Sequence, residues 1–163
     1  MGRDIIDDLR DDWSAQRPEL DTDAMGVVLR IQALAKVLGD QVAERLLEFG
    51  LQWWQYDVLS ALRRQGGPFL LAATELANAA RLTSGAMTNR IDRLEQQGLV
   101  RRVPDPKDRR RVLVQLTAKG RKLVDRATSA RFEAATAALA SLDRKQRRQL
   151  ADLLRTLLLG HAR

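Results

Sequence analysis

Apolar residues recur mainly at intervals of three and four, so the chain reads as a succession of amphipathic helices interrupted by short β segments. Residues 4–16 put Ile5, Ile6, Leu9 and Trp13 on one helical face, and Arg17-Pro18 ends that segment. A long helix is predicted from Thr22 to Phe49, its stripe carried by Val27, Val28, Ile31, Leu34, Ala35, Leu38, Val42, Leu46 and Leu47 and stopped by Gly50. A third covers 52–65, with Trp54, Val58, Leu59 and Leu62 as its core face. Gly66-Gly67-Pro68 closes it by removing helix propensity and a backbone donor, and Phe69-Leu70-Leu71 then reads as a short strand.

Between Thr74 and Gly98 lie two short helices broken at Arg81-Leu82-Thr83-Ser84, with Gly98 standing where a carboxy-terminal cap wants a left-handed residue. Leu99 to Val103 and the alternating Val112, Val114 and Leu116 form a hairpin, and its connection PDPKDRR holds two prolines and no apolar residue. Thr117 caps the next helix and Asp143 a last one that carries Leu150, Leu153, Leu154, Leu157 and Leu158. The predicted fold is mainly α with a small β-hairpin wing: a winged helix-turn-helix over 52–117, flanked by helices at 1–48 and 118–163 within one subunit. Those flanking helices hold more apolar surface than one winged helix can cover. A homodimer joined through the N- and C-terminal helices is therefore expected, the alternative being that they fold back on their own subunit.

Such a dimer would present two helices to successive major grooves of double-stranded DNA and read a pseudo-palindrome with half-sites ~10 bp apart. On the helix from Ser84 to Gln97, Met87, Ile91 and Leu94 form the buried stripe, which turns Gly85, Asn89, Asp92, Arg93 and Gln96 outward. Asn89 and Thr88 are suited to read bases, Ser84 to receive a phosphate at the helix amino terminus, and Arg93 to hold a phosphate or guanine. In the hairpin, Arg109, Arg110 and Arg111 follow Asp108, which stands two residues before Arg110 and is placed to hold its guanidinium. The run reads either as a solvated turn or as a minor-groove contact, and its position directly after a recognition helix favours the second. Arg90 leans inward on the same helix and needs an acid or an anion; Asp57 and Glu95 are the acids within reach.

Composition narrows the classes further. The 163 residues are 45% hydrophobic, enough for one good core, and carry a formal charge of +7 with a pI near 10.7, which favours polyanions. Residues 1–23 hold eight acids against three bases, while 74–116 hold nine bases against five acids, so the acidic end is not expected to face phosphates. With no cysteine and a single histidine, His161, neither a thiolate or histidine metal site nor histidine acid–base catalysis can be assembled, and no enzyme is expected. No apolar run suits a signal peptide or a membrane span. The expectation is a soluble cytoplasmic protein without a cofactor or membrane partner.

The segments GLQWWQYDVLSAL and TELANAARLTSGAMTNRIDRLEQQGLVRRVPDPKDRRRVLVQLTAKG resemble the MarR family of winged-helix transcriptional regulators over most of residues 24–160. The resemblance implies a dimer that binds an operator, usually to repress, and is released by a small ligand; it also matches Asp108 and Arg110 to the wing-tip pair that enters the minor groove. A narrower resemblance, carried by DDWSAQRPELDTDAM, the Asp of QYDVL and the Arg of TNRIDRLE, is to the urate-responsive subgroup. Its ligand set falls on Trp13, Asp57, Arg90 and Arg102. Trp13 and Arg90 would hold the ligand and Asp57 would pair with Arg102, the neighbouring Arg101 being the alternative if the hairpin register shifts by one. The implied effector is a small anionic aromatic, urate or a related purine. Other readings are a regulator answering to phenolic compounds, with Trp13 and Arg90 structural, and a ligand-independent architectural DNA binder.

Overall fold

The computed structural model describes residues 2–106, 108 and 111–161. Its elements are α1 (Ile5–Gln16), α2 (Thr22–Leu47), α3 (Trp53–Arg64), β1 (Leu70–Ala72), α4 (Ala73–Ala79), α5 (Ser84–Gln96), β2 (Val100–Pro104), β3 (Val112–Leu116), α6 (Ala118–Ala138) and α7 (Arg144–His161). The chain divides between Val42 and Ala43 into two compact units. It is a mainly helical winged helix-turn-helix with a small antiparallel sheet of strand order β1-β3-β2.

In the first unit, the acidic amino terminus is matched by arginines. Asp4 caps α1 by accepting from the Ile6 and Asp7 amides, and the Asp7 carboxylate accepts from the Asp4 amide in return. Arg30 on α2 reaches both carboxylates, at 2.9 Å and 2.7 Å. The hydrogen bond from Arg30 holds the Asp4 carboxyl below its ordinary value, and the Asp4 amide followed by Arg30 does the same for Asp7. Gly26 makes room for this packing: a Cβ there would lie 2.4 Å from Cδ of Arg10. The predicted apolar face of α1 is not buried, however. Ile5 and Trp13 remain 83% and 49% exposed.

The core of the second unit is built from one face each of α3, α4, α5 and α6 closed by the sheet. Leu59, Leu62, Leu76, Met87, Ile91, Leu94, Val114 and Val124 are almost wholly removed from solvent. Tyr56 and Gln55 are buried on α3 where Trp54 was expected to contribute. Gln55 is satisfied on both ends, accepting from the Gln52 amide at 2.8 Å and donating to the Gln97 side chain at 2.9 Å. Trp54, in the first turn, is only half-buried, covered by a guanidinium instead of an apolar neighbour. Strand β1 starts one residue later than predicted because Phe69 has φ 61°, a turn conformation, and its ring lies between Arg63 and Arg121 at 5.2 and 5.7 Å.

Four elements meet at one short segment. Gly98, at φ 69°, ends α5, and the Leu99 amide returns to the Leu94 carbonyl at 2.9 Å. The Thr117 amide bonds the Leu99 carbonyl at 3.1 Å, its hydroxyl donates to Gly98 at 2.8 Å, and the same oxygen caps α6 by accepting from Gly120 at 3.0 Å. Lys119 Nζ adds a bond to the Gln97 carbonyl at 2.8 Å. This approach is possible only because residue 120 has no side chain, since a Cβ there would stand 2.0 Å from the Leu99 oxygen.

In contrast, α7 buries none of its residues, and Leu153, Leu158 and Leu159 stay 66%, 71% and 68% exposed. Val27, Val28, Leu34 and Val37 of α2 are about half exposed. Among the described residues no helix is long and apolar enough to cross a membrane.

Gly120→Ala should destabilise the protein by ~2 kcal/mol or more, toward the upper end of overpacking costs, because the obstacle is backbone and not a flexible side chain. Urea unfolding would measure this, and an unchanged midpoint would show that the α5–β2 turn can yield.

Candidate nucleic-acid interface and ligand cavity

The recognition helix α5 is started by Thr83, whose hydroxyl accepts from the Ala86 amide at 3.3 Å. Its apolar stripe is as predicted: Met87, Ile91 and Leu94 are 0–1% exposed. Ser84, Thr88, Asn89 and Arg93 are all exposed. The Thr88 hydroxyl donates to the Ser84 carbonyl at 2.9 Å, which leaves its methyl and lone pairs available. Neither Asn89 nor Arg93 spends its side chain on a hydrogen bond or ion pair among the described residues. This is the donor and acceptor set that a base edge or a phosphate requires.

Asp92 is not part of that outer face. It is half-buried and faces β2, where Arg102 reaches it at 2.6 Å and also pairs with Glu95. Glu95 additionally accepts from the Arg102 amide at 2.8 Å, so one carboxylate holds both the backbone and the side chain of the strand. Partial burial works against the Arg102 charge, but the hydrogen bonds it donates to Asp92 and Glu95 outweigh it and raise its pKa above the ordinary arginine value.

The expected Asp57–Arg102 pair is therefore corrected: Arg102 is engaged by two acids of α5. Arg101 does not replace it, since its Nε donates to Gln115 across the hairpin at 2.8 Å, in the register Arg101↔Gln115. Asp92 and Glu95 lie three apart on α5 and present their carboxylates side by side to the neighbouring strand. That spacing was legible in the sequence, whereas the tertiary approach of β2 was not.

In the wing, Asp108 is half-buried and its carbonyl accepts from the Arg111 amide at 2.9 Å. Arg109 and Arg110 lie outside the described residues. Arg111 is exposed, with Glu75 and Asp105 each 3.9 Å from its guanidinium.

Asp57 and Arg90 are brought together. Both line a cavity of about 430 Å³ among α3, α4, α5 and α6, in the size range of small-molecule sites. Arg90 meets neither Asp57 nor Glu95 in an ion pair; its guanidinium lies 5.3 Å over the Trp54 ring, which leaves its edge donors free. Asp57 is exposed and unpaired among the described residues.

Three further arginines line the same cavity, Arg64, Arg81 and Arg131. Arg64 was within reach of sequence reasoning, because it lies seven residues after Asp57 and hence on the same face of α3. Arg81, at φ 52° in the α4–α5 turn, and Arg131 on α6 arrive only through the fold. Trp13 lines a different cavity, about 490 Å³, formed within the first unit by Leu9, Leu20, Met25 and Leu29. Among the described residues no group of three or more His, Asp or Glu is placed to hold a metal ion.

The profile of the MarR family matches residues 49–111, the stretch from the end of α2 to the start of β3. The HTH-type transcriptional regulator PecS of Dickeya dadantii (strain 3937) is 30% identical over 149 residues, covering 91% of this chain and 90% of PecS. Sco3205, a MarR family transcriptional regulator from Streptomyces coelicolor solved in complex with DNA, is 26% identical. It superposes with a TM-score of 0.74 over 88% of this chain and 91% of its own. A MarR family protein from Bacillus stearothermophilus, at 23% identity, shares the fold with a TM-score of 0.75 over 88% of this chain and 99% of that one.

Arg102→Gln removes both ion pairs between β2 and α5. Because all three groups are partly solvated, the expected loss is ~1 kcal/mol and not the 3–5 of a fully buried pair. A double-mutant cycle with Asp92→Asn and Glu95→Gln in urea would measure it; additive effects would mean the groups do not interact in solution.

Proposed function

This chain belongs to the MarR family of winged-helix, DNA-binding transcriptional regulators, and on that footing we propose that it is a homodimeric cytoplasmic repressor released from a pseudo-palindromic operator by urate or a related purine anion. The observation that carries the effector reading is the shared cavity of Asp57 and Arg90. Arg90 belongs to α5, the helix whose outer face offers Ser84, Thr88, Asn89 and Arg93 to DNA. An anion that draws Arg90 off the Trp54 ring thus acts on the reading helix itself, without the intermediate ion pair that the family resemblance implied.

On the other side α5 is held to β2 through Arg102, so the ligand works against a clamp and shifts the helix between two discrete settings. A coupling of ~1.4 kcal/mol is enough to weaken operator affinity tenfold. Within the first unit, Trp13 lines a separate apolar cavity that suits the face of a planar ring. Asp108, Arg109 and Arg110 serve the minor groove in this reading. The exposed leucines of α7 and the half-exposed apolar residues of α2 supply the surface for a second copy.

A gel-shift titration on the DNA upstream of the protein's own gene should show ~10-fold weaker binding in millimolar urate, and Arg90→Ala should abolish that difference. Tight binding that urate leaves untouched would remove the effector. Asn89→Ala should cost ~1–3 kcal/mol on the operator and little on random DNA; equal losses on both would make Asn89 a backbone contact and not a base reader.

A further inference from the structure

We propose that the cavity shared by Asp57 and Arg90 is built for a planar ligand bearing two or more negative charges, of the class of a purine carrying a phosphate, in preference to a singly charged ring such as urate. The inference rests on the reading of that cavity as the effector site. Four arginines line it, Arg64, Arg81, Arg90 and Arg131, against the single acid Asp57. If Asp57 offsets one, three positive charges remain. A monoanion leaves two of them unmatched, whereas a dianion leaves one.

Several arginines elsewhere are matched to acids. Arg3, Arg30, Arg102 and Arg155 all have carboxylate partners, and Arg63, next to Arg64 on the same helix, bonds Asp125 at 2.6 Å. The side chains of Arg64 and Arg81 make no hydrogen bond or ion pair among the described residues. Arg90 lies over the Trp54 ring, and Arg131 lies over Tyr56 and Trp53 at 5.0 and 5.2 Å. Stacking fixes the plane of a guanidinium while its edge N–H groups stay unused, the arrangement that suits bidentate bonds to phosphate oxygens.

The lining also includes the aliphatic side chains of Val58, Ala61, Leu76 and Ala79, which suit contact with a ring. A second cavity of about 550 Å³ between α3 and α6 shares Ser60, Arg64 and Arg131 with the first.

The test is calorimetric titration of the full-length protein with urate, guanosine and guanosine 5′-monophosphate, whose phosphate is doubly charged above pH ~7. Guanosine 5′-monophosphate should bind at least tenfold more tightly than urate or guanosine, one more charge-assisted contact being worth about that factor. Arg64→Gln combined with Arg81→Gln should bring it down to the level of urate; both residues are exposed, and a thermal melt checks that the variant is folded.

Equal affinity for urate and guanosine 5′-monophosphate overturns the proposal while leaving the effector site in place. A phosphate advantage that survives the double substitution also overturns it, because these two arginines would then serve another anion, such as the DNA backbone. Failure of all three probes to bind a protein that still binds its operator refutes the effector site itself.

Discussion

Everything in the DNA-binding unit depends on how closely the start of α6 approaches the turn after α5. The contact is backbone against backbone, and Gly120 is the residue that permits it, with the Leu99 oxygen 2.0 Å from where a Cβ would stand. Around it the carbonyls of Gln97, Gly98 and Leu99, which the end of a helix leaves without partners, are taken by Lys119, the Thr117 hydroxyl and the Thr117 amide. The end of the recognition helix, the first strand of the wing, the return strand and the following helix are thereby tied at one point. The angle between α5 and the hairpin is a property of this knot.

From that fixed end, α5 is bordered by two kinds of electrostatic environment. Toward β2, Asp92 and Glu95 are matched by Arg102, so the helix and wing are joined by charges that already have partners. Toward α3, Arg90 rests on an aromatic ring and faces a cavity where positive charge exceeds negative. A satisfied ion pair resists change because breaking it leaves two charges unmatched, while a guanidinium stacked on a ring can rotate to an anion at small cost. The asymmetry gives the helix one anchored side and one responsive side.

Charge is likewise sorted along the chain. The acids of α1 are absorbed locally by Arg3, Arg10 and Arg30, so the excess of acid at the amino terminus becomes a set of helix caps and helix-to-helix bonds. The outward face of α5 keeps its polar side chains unspent. Apolar residues are sorted too. The second unit closes around α3 to α6, while α7 buries nothing, and its leucines define a surface that the single chain leaves uncovered.

Much of this was legible in the sequence, for a local reason: helix periodicity, caps and breakers act over three or four residues. Met87, Ile91 and Leu94 identified the buried face of α5 by spacing alone, Gly98 its end, Thr117 the start of α6, and the alternation of Val112, Val114 and Leu116 the returning strand. The same logic placed Asn89 and Arg93 outside, and with them Asp92, which the structure turns toward Arg102 of β2. It also recognised that Arg90 pointed inward and needed a partner, but not that the partner is the Trp54 ring, because two aromatic positions on α3 are equivalent until packing chooses between them. Likewise, the resemblance paired Arg102 with Asp57, and only the approach of β2 to α5 set it against Asp92 and Glu95 instead. Arg64, Arg81 and Arg131 come from three elements far apart in the chain and gather around one cavity. Sequence by itself determined the elements, their buried faces and the winged-helix order, since those follow from contacts between near neighbours; which charges meet which was left to the tertiary structure, since it depends on contacts between distant ones.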